Sequence, residues 1–393
     1  MQASASEPKP RLLSLDVFRG ATVAAMILVN NPGSWSNIYA PLEHAKWNGC
    51  TPTDLIFPFF LFIVGISIAY ALSGKKSRPE EHGAAIKSIT IRSLKLFGLG
   101  LILALFPIVY FDKFGEVGVW DQIVMRFSGV RIMGVLQRIG LVFFIAGIIF
   151  IKAKPKTIAW TAGSLLVIYY LLMTFVPVPG VGYANLEPET NLGAWIDRLI
   201  LTTDHLWKQS KTWDPEGLLG TIPAVATGLL GTLCGTWMKK PMDNALKITW
   251  LFVFAAFGIA AGLVWDLFFP INKSLWTSSF VLYTAGLGSA FFAVLYWLID
   301  VQGYKRYTTP FVAFGVNAIT AFFLSGILVK TLSLIKLKDA AGKLINLQSY
   351  FYNTCIVPFF SPLNASLVYA IVWVLCFMAL MMYMYKKKII IKV

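Results

Sequence analysis

The chain has 393 residues, of which 57% are hydrophobic and 13% charged, with a formal net charge of +15 and a mean hydropathy of +0.68. Soluble domains carry about 25% charged residues, so this composition excludes a globule dispersed in water and makes lipid part of the solvent. The basic residues sit in short clusters between apolar runs and form no single basic face, which argues against nucleic acid as a partner.

The polar segment 1–10 precedes an apolar run without a small-residue cleavage pattern, so that run reads as a retained first helix. Apolar windows then fall at 13–30, 55–72, 89–110, 132–151, 158–176, 218–237, 248–269, 275–299, 311–329 and 367–385. Each is long enough to cross about 30 Å of hydrocarbon as a helix. The expected fold is therefore all-α, a polytopic bundle of about ten transmembrane helices. It forms one membrane domain, 11–385, between the N-terminal segment 1–10 and a basic tail, 386–393. Lys and Arg concentrate in alternate short connections, among them Lys75, Lys76 and Arg78, then Lys152, Lys154 and Lys156, then Lys386, Lys387 and Lys388. That bias assigns these connections and both termini to the cytoplasm. The opposite side receives four loops of substance, 31–53, 111–131, 177–216 and 330–351. The third contains an amphipathic stretch, 192–201, suited to a membrane surface. No strand-like alternation is evident.

Chemistry concentrates in the first of these loops. His44 stands ahead of Trp47-Asn48-Gly49, and Asp54 follows at the mouth of the second window. Imidazole titrates near neutrality and suits a general base, which a carboxylate can orient. Asp54 is equally well placed to cap the helix that starts there. Asn30 ends the first window at the same face, where its amide can donate to an oxyanion or satisfy free carbonyls at a helix end. Arg138 lies well inside the fourth window, where an ionisable group costs several kcal/mol without a partner. Asp16 and Arg19 share a helical face. In the third loop, Asp204, His205, Asp214 and Glu216 mix with Trp207 and Trp213, a pattern shared by sugar-binding loops and by ordinary helix starts. The four cysteines show no CxxC spacing, so neither a disulfide framework nor a metal site is expected.

Several segments together resemble the heparan-alpha-glucosaminide N-acetyltransferase-like family of transmembrane acetyltransferases, in a bacterial form. They are Ser14-Leu-Asp16-Val-Phe18-Arg19-Gly20, the stretch from His44 through Trp47-Asn48-Gly49 to Asp54 and Phe57-Pro58, and Gly134-Val-Leu-Gln137-Arg138-Ile-Gly140. Asp197-Arg198-Leu199, Asp204-His205-Leu206, Asp214-Pro215-Glu216-Gly217, Asn272-Lys273-Ser-Leu-Trp276 and Asn317 continue the match in order. The resemblance implies transfer of acetyl from cytoplasmic acetyl-CoA to the amine of a glucosamine-type sugar across the membrane, with His44 matching the family's histidine and Asn30 and Asp54 its companions. Two departures stand out. The luminal N-terminal domain of the lysosomal form has no counterpart here, and Ser325 replaces a histidine of that form.

These readings set a mechanism to be tested. His44 serves as general base or acyl relay, with Asn30 on the oxyanion and Asp54 orienting the ring. Arg11, Arg19, Arg92, Lys95 and Arg138 are the expected partners of acetyl-CoA phosphates, and Trp47, Asn48, Asp204, His205, Asp214 and Glu216 the expected acceptor contacts. The expected partners are an amino sugar or glycan terminus and the lipid bilayer, a homodimer is allowed, and the expected location is a bacterial inner membrane. An amino-sugar transporter and an O-acetyltransferase of an envelope glycan are the alternatives. A transporter gives His44 and Asp54 no task.

Overall fold

The computed structural model of the protein describes residues 12–109, 117–339 and 342–391, so Arg11 lies outside the described residues. The apolar windows become α1 (Leu13–Asn30), α2 (Ile56–Lys76) and α3 (His82–Leu105). A short α4 (Val119–Ser128) precedes α5 (Val135–Lys152) and α6 (Pro155–Phe175). The amphipathic stretch forms α7 (Leu192–Leu201), followed by α8 (Thr221–Met238), α9 (Asn244–Asp266) and α10 (Ser278–Leu295). After these come α11 (Thr309–Val316), α12 (Ala318–Leu334), the short α13 (Leu347–Phe351) and α14 (Pro362–Lys386). Among the described residues, nine helices are long and apolar enough to span a bilayer, and α11 with α12 adds a tenth when counted as one broken span. The expected all-α polytopic bundle is what forms, because in hydrocarbon a helix satisfies its own backbone groups.

Two departures have local causes. The 311–329 window is bent by 80° at Asn317. There the Asn317 amide donates to the Ile389 carbonyl (3.0 Å) and its oxygen accepts from Ile391 N–H (3.0 Å), so the C-terminal segment fills the break. The loop expected to lack strands carries a hairpin, β1 (Lys336–Lys338) with β2 (Leu344–Asn346), in which Leu337 faces Ile345. Strands of three residues are too short to register as an alternating pattern.

Helix α8 is the hub, with 72% of its apolar window buried against 17% for the lipid-facing α9. Glycine permits its approach to α2. A Cβ on Gly231 would stand 2.1 Å from the Phe62 carbonyl oxygen, and one on Gly65 would stand 2.0 Å from that of Gly228. Close backbone contact through small residues is how membrane helices associate without a hydrophobic drive between them. The same device joins α1 to α11, where a Cβ on Gly315 would meet the Asp16 carbonyl oxygen at 2.1 Å.

Alternate connections gather at opposite poles. At one pole Gly49 N–H donates to Ile271 O (2.7 Å), Trp47 Nε1 to Leu186 O (3.0 Å), and Arg131 pairs with Asp214 (2.5 Å). At the other, Lys76 Nζ reaches Ala153 O (2.6 Å), and Asp300 accepts from the first amides of α1, Leu13 (3.3 Å) and Ser14 (3.0 Å). A carboxylate there also complements the helix dipole.

Candidate active site

The His44 loop is built around one carboxylate. Pro52 opens a short turn before α2, Thr51 caps it, and Asp54 returns its side chain to the cap in a reciprocal capping box. Oδ2 of Asp54 accepts from Thr51 N–H (3.0 Å), Ala45 N–H (3.0 Å) and Thr51 Oγ1 (3.1 Å). Its Oδ1 is left for His44 Nδ1, at 2.6 Å. The two sequence readings of Asp54, cap and ring partner, are thus both realised, one on each oxygen. The Asp54 side chain is 1% exposed and that of His44 50% exposed. A carboxylate opposite Nδ1 calls for the proton there, which leaves the free lone pair on Nε2.

A second loop, between α9 and α10, delivers a residue that the sequence reading did not single out as a site residue. Asn272 organises it. Its N–H donates to Thr277 Oγ1 (3.0 Å), its Oδ1 accepts from Leu275 N–H (2.9 Å), and its Nδ2 donates to Asn48 Oδ1 (3.1 Å). The next residue, Lys273, places Nζ 3.2 Å from both His44 ring nitrogens and 3.9 Å from Asp54 Oδ1. Burial pushes this ammonium below the ordinary lysine range, while Glu216, Asp54 and Cys50 oppose the shift. The neighbouring Cys50 thiol is pushed up to about 12, chiefly by burial. So little thiolate at neutral pH makes Cys50 a poor nucleophile.

Two cavities meet between the poles. One, of about 780 Å³, opens among α1, α2, α3 and α5 and is lined by Arg19, Lys75, Lys87, Arg92 and Lys95, with no acid among its described lining residues. The other, of about 100 Å³, is lined by Asn30, His44, Phe57, Glu216 and Lys273. Phe60, Ile139, Ala318 and Ile319 line both, so an apolar neck separates the cationic end from the histidine end. Within the cationic cavity, Arg19 also bonds Ser67 Oγ (2.7 Å) and Asp16 (3.2 Å). Arg92 stacks over Phe143 at 4.9 Å. Lys75 and Lys87, which the sequence offered only as markers of sidedness, join them on the wall.

The remaining expected residues divide. Glu216 lines the histidine cavity, pairs with Arg131, and stays ionised because Arg131, Arg138 and Lys273 together outweigh its burial. Asp214 is fully buried and paired with Arg131, and Trp47 packs edge-on to Trp213 at 5.1 Å. Asn48 holds Asn272, as above. His205 Nδ1 meets the Val130 carbonyl (2.7 Å), and Asp204 is exposed beside it. Arg138 does not line the cationic cavity. It donates to Pro215 O (3.0 Å) and Gly217 O (2.8 Å) and lies over Trp276, which secures the segment that carries Glu216. Among the described residues no group of three or more His, Cys, Asp or Glu side chains is placed to hold a metal ion.

Comparison with known proteins matches residues 11–269 to the family model described as heparan-alpha-glucosaminide N-acetyltransferase, catalytic. The chain is 30% identical over 367 residues to the Homo sapiens protein named heparan-alpha-glucosaminide N-acetyltransferase, covering 80% of this chain and 52% of that one. It is 30% identical over 368 residues to the Mus musculus protein of the same name, covering 79% and 53%. The chain therefore spans about half the length of the curated relatives it matches.

Proposed function

Because the chain belongs to the heparan-alpha-glucosaminide N-acetyltransferase family, we propose that it is a transmembrane acetyltransferase that moves acetyl from acetyl-CoA at its cationic pole to an amine at its His44 pole. One observation carries the reading: the cation-lined cavity and the His44 cavity share the neck residues Phe60, Ile139, Ala318 and Ile319. The five cations on this wall, of which Arg19 is paired with Asp16, suit the phosphates of a nucleotide. An extended pantetheine arm of roughly 20 Å is long enough to bring its thioester from there through the neck. The positive-inside bias makes the cationic pole cytoplasmic, where acetyl-CoA is available. The acceptor is a glucosamine-type sugar on the other side, in a bacterial inner membrane.

The chemistry follows from the residues at the neck's far end. The acceptor amine attacks the thioester carbon, the C–N bond forms, and the carbonyl electron pair moves to oxygen. His44 Nε2 takes the proton lost by nitrogen while Asp54 holds the ring by Nδ1. Asn30, which has no hydrogen bond for its amide among the described residues, lines the same cavity and is available to donate to the oxyanion. Collapse breaks the C–S bond, and the imidazolium returns its proton to the departing sulfur. General-base catalysis of this kind contributes about 10²–10⁴-fold.

Purified protein given acetyl-CoA and glucosamine should release CoA, read with a thiol reagent, and His44→Ala should slow that release by about 10²–10⁴-fold. Equal slow release by both proteins overturns the reading.

A further inference from the structure

The steps above leave Lys273 without a task, yet it is the sole Lys or Arg among the described residues lining the histidine cavity. Its Nζ lies 3.2 Å from both Nδ1 and Nε2 of His44. A nitrogen equidistant from two ring nitrogens lies along neither lone pair, so Lys273 leaves Nε2 open to a substrate proton. Nor is it explained as the partner of Asp54. Oδ2 of that carboxylate already accepts three hydrogen bonds and Oδ1 accepts from the ring, and the separation of 3.9 Å is long for an ion pair. The position is nonetheless well supported, through Asn272 to Asn48 and through Gly49 to Ile271.

Acetyl transfer puts negative charge on the thioester oxygen while the nearby imidazole becomes positive. A lone imidazolium beside an ammonium would be unfavourable, and an oxyanion between them reverses the sign of that interaction. Resting on the acetyltransferase reading, we propose that Lys273 is a catalytic residue whose ammonium donates a hydrogen bond to the tetrahedral oxyanion, alongside Asn30. The ammonium keeps its proton throughout. The electron pair that reached oxygen returns to re-form the carbonyl as the C–S bond breaks, and the only proton moved travels from nitrogen through His44 to sulfur. The charged and titratable groups facing Lys273 are His44, Asp54, Glu216 and Cys50. Burial lowers the ammonium below the ordinary lysine range, and Glu216 is the strongest of the groups that oppose that shift.

The test compares wild type, Lys273→Gln and Lys273→Arg in steady-state transfer from acetyl-CoA to glucosamine over a range of pH. Loss of one oxyanion donor costs about 10²–10³-fold in kcat. The Gln variant should show that loss with KM for both substrates near wild type, and it should lack the alkaline fall in kcat that loss of the lysine proton gives the wild type. The Arg variant should recover part of the rate and carry its alkaline limb to higher pH, because a guanidinium stays protonated to about pH 12. If the Gln variant does not fold, the shifted limb of the Arg variant decides the question. A Gln variant with wild-type kcat, a loss confined to KM, or an Arg variant whose alkaline limb does not move overturns the proposal. If wild type transfers no acetyl at all, the underlying reading fails first and this proposal falls with it.

Discussion

Asp54 shows how one side chain settles two sequence readings at once. Spacing alone leaves cap and ring partner in balance, and the folded loop uses a separate oxygen for each. Asp54→Asn keeps an oxygen that can accept from Thr51 N–H in the capping box and from Ala45 N–H but places an amide opposite Nδ1 and favours the wrong ring tautomer. The expected outcome is a fall in kcat of about 10²–10⁴-fold with a nearly unchanged melting temperature, measured on the same preparation. Asp197 offers a separate pH test. Burial pushes its carboxyl up to about 6 from an ordinary value of 3.8, while Leu218 N–H (2.8 Å) holds it. A carboxyl raised in the folded state favours folding below its unfolded value, and that contribution is lost as pH rises toward 6. Two units correspond to about 3 kcal/mol. Asp197→Asn should therefore flatten the decline in thermal stability between about pH 4 and pH 6. An unchanged decline would point to other groups. At this scale the sequence was legible for His44, Asn30 and Asp54, which lie on one pole as expected. Lys273 was not, because its position depends on a cross-loop bond between Asn272 and Asn48 that no local pattern encodes.

Helices as units were legible in number and order because each must hide its own backbone from lipid. Their ends and their breaks were less so. Helix α3 starts at His82, within a charged stretch that hydropathy excludes, and the bend at Asn317 depends on a C-terminal segment remote in sequence. The glycine contacts give a prediction at this scale. Gly231→Ala would set a methyl 2.1 Å from the Phe62 carbonyl oxygen, whereas a Cβ on Gly163 in α6 meets nothing within 4 Å. Overpacking of this kind costs about 1–3 kcal/mol. Gly231→Ala should lower the melting temperature or the folded yield, and Gly163→Ala should leave both unchanged or slightly improved. Equal behaviour of the two would contradict the close α2–α8 contact.

For the whole molecule, the central feature is that the cation-lined cavity and the His44 cavity lie toward opposite poles and are joined by one apolar neck. The sequence predicted the separation from charge bias alone. It could not reveal the neck, whose four shared residues come from α2, α5 and α12 and have no motif in common. Nor could it show that Arg138 braces the loop before α8 and stays off the cationic wall. The most direct test uses sealed proteoliposomes, with labelled acetyl-CoA supplied only outside and glucosamine trapped only within. The account predicts labelled N-acetylglucosamine in the lumen, absent with His44→Ala. Label that appears only when both substrates share one side of the membrane would contradict it.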